Sequence, residues 1–268
     1  MSVNTDVIAQ TRVSRSRRSV WRSTWLLRAV VLVVPLIGWQ LFAMSKGPYF
    51  LPTVDSTLAS GLPTIFSEGY YVTFLRTLEQ LFLGFGITCA FAIPLGAVVG
   101  RWKVADDFLS PYINTLYVTP PEALLPLLIV VFGTDLTFRI AVVVVFSFFF
   151  PLMNTAAGIR YVDSQLLEVA RSFRTSRWRL FSQILLPAAA PFVVAGIRLG
   201  LGQALKGMIL AELWVVVGTG GLMINLGRFR HLDIYFALAL MVVAVAVLLN
   251  AGLRSLERRL QPWVDRSE

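Results

Sequence analysis

Four ionisable residues stand inside otherwise apolar runs: Glu122, Arg198, Lys206 and Glu212. A charge is costly against lipid, so such residues usually face a bundle interior or a water-filled path. Gln203 lies three residues before Lys206, so the two adjoin on one helical face. Glu122, Asn154, Gln203, Lys206 and Glu212 are therefore candidates for lining or gating a translocation pathway. Structural pairing between helices, for example Glu122 with Lys206, is the competing reading, because buried charges are generally paired. Arg198 is expected near the cytoplasmic end of its run, where a long side chain can snorkel to the interface. The chemistry suggested is passage, not bond breaking. There is one histidine, His231, and one cysteine, Cys89, and no cluster of nucleophile, base or metal ligands. Catalytic residues and metal ligands are thus not expected in this chain. No Gly-x4-Gly-Lys-Ser/Thr phosphate loop occurs, so any ATP hydrolysis belongs to another chain.

The elements that must carry these residues follow from composition. The chain has 268 residues, 56% hydrophobic and 15% charged, with a mean hydropathy of +0.71. An ordinary soluble domain carries about 25% charge, and a disordered chain is poor in apolar residues. Both classes are excluded in favour of a chain dissolved in lipid. Membrane helices need about 20 mostly apolar residues each, and six uncharged or nearly uncharged stretches meet that length. The spans expected are residues 26–45, 72–100, 108–133, 138–159, 187–216 and 233–255, after a basic arm over residues 1–24. Of the 24 Lys and Arg, seventeen fall on one side of this arrangement and five on the other. Cytoplasmic loops collect such residues, so both termini are placed in the cytoplasm and the arm near anionic lipid. The net charge of +9 then reports topology and not nucleic-acid binding.

Glycines recur in two spans: Gly84, Gly86, Gly96 and Gly100 in the second, and Gly196, Gly200, Gly202 and Gly207 in the fifth. Small residues let membrane helices approach closely. Thr219, Gly220 and Gly221 break the apolar pattern and suggest either a re-entrant turn or a simple loop. Residues 163–186 are a polar-apolar segment in which Asp163 reads as a helix N-cap. Leu166, Leu167, Ala170 and Phe173 follow at helical spacing. A second short helix from Ser176 to Leu186 would bury Trp178, Phe181, Leu185 and Leu186. The segment is either a pair of interfacial helices lying on lipid or a docking element for a cytoplasmic partner.

Glu168, Ala170, Ile184, Leu186 and Pro187 fall in the register Glu-Ala-Ala, three residues, Gly, nine residues, Ile, one residue, Leu-Pro. This resembles the EAA motif of binding-protein-dependent ABC importer permeases, with Val169 at the middle Ala and Arg174 at the Gly. A glycine there would allow a tight turn, so Arg174 is a departure. The resemblance extends along the chain. It includes Thr77-Leu78, Ile93-Pro94-Leu95-Gly96, Pro120-Pro121, Leu124-Leu125-Pro126-Leu127, Phe149-Phe150-Pro151 with Asn154, Ala211-Glu212 and the tail Leu256 to Trp263. It is similar in this order to sulfonate, taurine and nitrate permeases.

The resemblance implies an all-α membrane protein of about six spans with the type I importer permease fold. It implies a multi-pass, non-catalytic subunit of a bacterial inner membrane, working by alternating access. The implied partners are a cytoplasmic ABC ATPase dimer carrying ATP and Mg, a second permease copy, an external solute-binding protein and membrane lipid. It also implies ATPase coupling through Asp163, Leu167, Glu168, Ala170, Phe173, Arg174 and Pro187. The solute implied is a small anion, with pyrimidine precursors or aromatic acids as alternatives in related permeases. The rival classes are an ATP-independent secondary transporter, which would want inverted repeats that the chain does not display, and a membrane-embedded enzyme.

Overall fold

The computed structural model describes residues 17–48, 50–162, 168, 170, 172, 173 and 175–260. Among these residues every regular element is helical. The chain divides into two units, residues 1–56 and 57–268.

In the first unit, α1 spans Arg17–Lys46, so it begins inside the segment assigned to the basic arm. Its Ala29–Lys46 part is long and apolar enough to cross a membrane. Trp39 Nε1 donates to the Pro52 carbonyl at 2.9 Å. Gln40 accepts from the Val54 amide at 2.8 Å and donates to Asp55 Oδ1 at 2.9 Å, which fastens the short helix α2, Val54–Ser56. Hydrogen bonds from Thr53 and then Gln40 hold the exposed Asp55 carboxyl below its ordinary range.

The second unit opens with a π-helical turn, Thr57–Gly61, and continues through α3 (Leu62–Ser67), α4 (Tyr70–Arg101) and α5 (Lys103–Val118). Next come a 3-10 turn, Pro121–Leu124, and α6, Leu125–Phe132. The expected third span is thus a broken one: α5 and the stretch Pro121–Phe132 meet at 90°. Pro120 and Pro121 explain the break, since neither has an N–H to continue the helix and each disfavours helical geometry in the residue before it. The fourth span is also two helices, α7 (Leu136–Ser147) and α8 (Phe149–Arg160), jointed at Phe148. Pro151 removes the amide that would have bonded the Ser147 carbonyl.

After the coupling segment, α9 (Arg177–Leu180) passes through a π-helical turn, Phe181–Leu185, straight into α10, Leu186–Val215. The expected second coupling helix is therefore not separate from the membrane span. Pro187 leaves the Gln183 carbonyl without its amide, and the wider turn takes up the defect. Helices α11 (Gly218–Arg228) and α12 (Leu232–Leu260) complete the unit. Residues 219–221 lie in the first turns of α11, so they are helical and not a loop.

The core is α4, the α7–α8 pair and α10. Gly84 meets Val143, Gly96 meets Thr155 and Gly100 meets Ile159, while the Thr88 and Ser147 hydroxyls hydrogen-bond at 3.0 Å. The constant offset of 59 residues means that α4 runs parallel to α7 and α8 along their whole length. Helix α10 runs antiparallel against α7–α8, with Gly158 on Phe192, Gly196 on Asn154 and Gly207 on Phe146. Lipid tails are as apolar as leucine, so close packing has to hold such helices together. On α10, Leu201 and Leu205 pack with Val242, Ala246 and Leu249 of α12.

Candidate functional site

Two places in the second unit collect the candidate residues. The first is the segment between α8 and α10. Ala170 is buried and packs with Ala97 of α4, Ile159 of α8, Leu180 of α9, Leu185 of the π-helical turn and Ala189 of α10. Glu168 is exposed, and Phe173 is 81% exposed. The helical spacing placed Phe173 on the same apolar face as Ala170, but only Ala170 turns inward. The Ser172 hydroxyl donates to the Glu168 carbonyl at 3.0 Å, and the Thr175 amide donates to the Ala170 carbonyl at 3.1 Å. The latter bond reaches back five residues, the pattern that closes a helix end before the chain turns. Pro187 lies in the first turn of α10 and is exposed. Asp163, Leu167 and Arg174 lie outside the described residues.

Two contacts that sequence reasoning missed flank this segment. Arg160 at the end of α8 pairs with Asp106 of α5 at 2.6 Å, and the Ser110 hydroxyl donates to the same carboxylate oxygen. Tyr161 stacks on Phe192 of α10 with ring centroids 5.9 Å apart. Sequence offered one weak signal for the pair, the acids Asp106 and Asp107 and the base Arg160 just outside two apolar runs.

The second place is the corner between α10 and α11. Glu212 is 1% exposed. The Thr77 hydroxyl of α4 donates to its Oε1 at 2.7 Å, and the Gly220 amide donates to its Oε2 at 3.0 Å. Thr219 joins from α11: its hydroxyl lies 2.9 Å from Thr77 Oγ1, and its amide donates to the same oxygen at 3.3 Å. The Val217 amide donates to the Glu212 carbonyl at 3.1 Å. Three helices therefore converge on one carboxyl. The Arg139 side chain on α7 lies within electrostatic reach of Glu212. Arg139 Nε and Gln80 Oε1 are buried without hydrogen-bond partners. By the register of the α4–α7 seam these two sit at one level.

The remaining candidates are dispersed. Gln203 is half-buried and Lys206 exposed, one turn apart on α10. Asn154 is half-buried beside Gly196 and donates to the Phe150 carbonyl of its own helix at 2.8 Å. Glu122 is exposed on the 3-10 turn. Among the described residues Glu122 and Lys206 do not pair. Among the described residues Arg198 pairs instead with Glu257 of α12, at 2.9 Å. Thr77, Thr219 and Glu257 were thus missed as site residues. An acid in an apolar run followed by a Thr-Gly-Gly cluster was the available signal for the corner.

Residues 92–264 match the family profile described as "Binding-protein-dependent transport system inner membrane component". The chain belongs to that family. This permease is 30% identical over 262 residues to the taurine transport system permease protein TauC of Escherichia coli, covering 92% of this chain and 94% of that protein. It is 32% identical to the riboflavin transport system permease protein RibX of Chloroflexus aurantiacus, covering 94% and 96%. Its fold is that of a chain in the inward-facing MetNI methionine ABC transporter. That chain is 17% identical, with a TM-score of 0.60, and the match covers 69% of this permease and 93% of that chain. The permease is accordingly an all-α, multi-spanning ABC transport component of the type I fold, related to taurine and sulfonate permeases.

Proposed function

We propose that this permease is the membrane subunit of an ATP-driven importer, taking a small anionic, sulfonate-like solute from an external binding protein to the cytoplasm by alternating access. Two copies frame the pathway on two cytoplasmic ATPase subunits, which carry the ATP and Mg. The bias of basic residues supports cytoplasmic termini in a bacterial inner membrane. Glu168, Ala170, Phe173 and Pro187, with Asp163, Leu167 and Arg174, form the ATPase-coupling segment. Glu122, Asn154, Gln203 and Lys206 line the pathway, and Glu212 serves its gate.

One observation carries the coupling reading. A phenylalanine, 81% exposed, stands three residues from an alanine locked into the bundle, on the segment that bears the EAA-like register. A buried alanine close to an uncovered aromatic suits docking into a partner groove, because aromatic anchors dominate such contacts. The exposed Lys206, mid-helix in an apolar run, supports the pathway reading, since a charge there is costly against lipid. The relative named for riboflavin favours keeping an aromatic solute as the second reading of the substrate. The test is a mild-detergent pulldown from native membrane of the wild type and of Glu168→Arg. The wild type is expected to bring down a stoichiometric ATPase and the variant to lose it while remaining in the membrane. Normal recovery of the ATPase with Glu168→Arg would refute the docking reading.

A further inference from the structure

The corner between α10 and α11 is built from residues that ought to make it soft. Gly218, Gly220 and Gly221 lie within four positions, and Gly218 takes φ +60. Val216 takes φ 54, a left-handed conformation that a β-branched residue adopts only when its surroundings hold it there. Its amide donates to the Glu212 carbonyl and its own carbonyl backs onto Gly221, while the Glu212 carboxyl fills the space beside Gly218. A side chain at Gly218 would run into that carboxyl, and a Cβ at Gly220 would lie 2.8 Å from Glu212 Cβ. The corner is shaped around the acid, which joins α11 through the Gly220 amide and joins α4 through Thr77.

Helix α10 connects this corner to the other candidate region. Its 30 residues span about 45 Å. Ala189 near its start, and Leu185 in the turn that leads into it, pack on Ala170 of the coupling segment, and Glu212 lies in its last turn. A motion entering at the first end reaches α11 only if the corner does not absorb it.

We propose that Glu212, with Thr77 and Thr219, is a positioning device of the transport cycle. By clamping the glycine-rich corner onto α4, it makes α11 move with the α10–α4 core instead of flexing independently. The inference rests on the ATPase-coupling reading above. Glu212 contacts no solute in this role. It acts through the hydrogen bonds that fix the direction in which α11 leaves α10.

The experiment uses the full complex with its ATPase and binding protein in lipid, with Cys89→Ala and an environment-sensitive fluorophore on Arg228→Cys, an exposed position at the end of α11. ATP with Mg is the probe, and hydrolysis is followed in parallel. The double variant Thr77→Val with Glu212→Met keeps the volume; like Glu212→Gln it removes the negative charge facing Arg139, so the two variants differ in the hydrogen bonds of the corner. The double variant is expected to lose at least about fivefold of the ATP-induced fluorescence change, the lower end of ordinary allosteric coupling. Glu212→Gln, which still accepts from Gly220 and donates to Thr77, is expected to retain the response. Thr219→Val, which removes one hydroxyl, is the fallback should the double variant not fold, and is expected to lose part of it. A wild-type response in Thr219→Val or the double variant would overturn the clamp. Loss of response in Glu212→Gln would overturn it equally, because the hydrogen bonds would then not be what matters. Failure of the wild-type chain to assemble with an ATPase is a separate result, and would remove the coupling reading on which the clamp rests.

Discussion

Gly96→Ala and Gly86→Ala place the same methyl group on the same helix with opposite consequences. At Gly96 a Cβ meets the Leu152 carbonyl oxygen and lies 2.9 Å from Thr155 Cβ and 3.1 Å from the Leu152 carbonyl carbon. Two of those three atoms are backbone, so they cannot swing aside, and α8 itself must shift. Overpacking of this kind costs about 1–3 kcal/mol, and a backbone obstacle belongs at the upper end. Replacing glycine with alanine in a helix returns about 1 kcal/mol. The net loss at Gly96 is therefore about 2 kcal/mol. At Gly86 nothing lies within 4 Å, so only the favourable part remains. For a chain of this size, about 1 kcal/mol moves Tm by roughly 2–4 °C. Gly96→Ala should lower the thermal midpoint of the solubilised permease by about 4–8 °C, and Gly86→Ala should leave it unchanged or raise it by up to about 4 °C. The midpoint is read by the loss of the monodisperse peak in size-exclusion chromatography after heating. Equal shifts for the two variants would refute the assignment of α4's packed face.

Gly207→Ala and Gly202→Ala repeat the comparison on α10, where Gly207 faces Phe146 at 2.8 Å and Gly202 faces open space. The contact is with Cβ and Cγ of a buried ring, next to the α7 backbone, so a difference between the thermal midpoints comparable to that of the α4 pair is expected. A double-mutant cycle of Arg198→Ala and Glu257→Ala should return a coupling of about 0.5–1 kcal/mol in unfolding measurements, since the pair is half-exposed and monodentate. The cycle of Thr88→Val and Ser147→Ala should return about 0.6 kcal/mol, because each hydroxyl keeps a carbonyl of its own helix when its partner is removed. Phe173→Ala removes an exposed ring and should leave the thermal midpoint within about 0.5 kcal/mol of the wild type. The same variant should lower ATPase recovery in the pulldown.

Helix positions were legible because lipid excludes charge. The ends of the expected runs fall within a few residues of α4, α10 and α12. The broken third span and the joint within the fourth were less legible. Pro120, Pro121 and Pro151 were visible as helix breakers, but the 90° bend depends on where the chain can resume packing. Glycines could be counted in sequence, yet Gly86 and Gly202 do not differ in type from Gly96 and Gly207. Only the neighbouring helix separates packed glycines from free ones. Phe173 and Ala170 share a helical period, and the period alone assigned them one face. The turn closed by the Thr175 amide separates them.

By itself the sequence determined that this chain lives in a membrane, how many times its apolar runs can cross, and which segment carries the EAA-like register. Those properties are local: each depends on the transfer of a short stretch out of water or on the spacing of residues along one strand of chain. Tertiary structure decided which ionisable residues meet. Arg198 found Glu257 across 59 positions, and Glu212 found Thr77 across 135. A buried polar group must be satisfied by whatever donor the packed helices bring within about 3 Å, and that choice is made by the three-dimensional register of the helices, which no single helix contains.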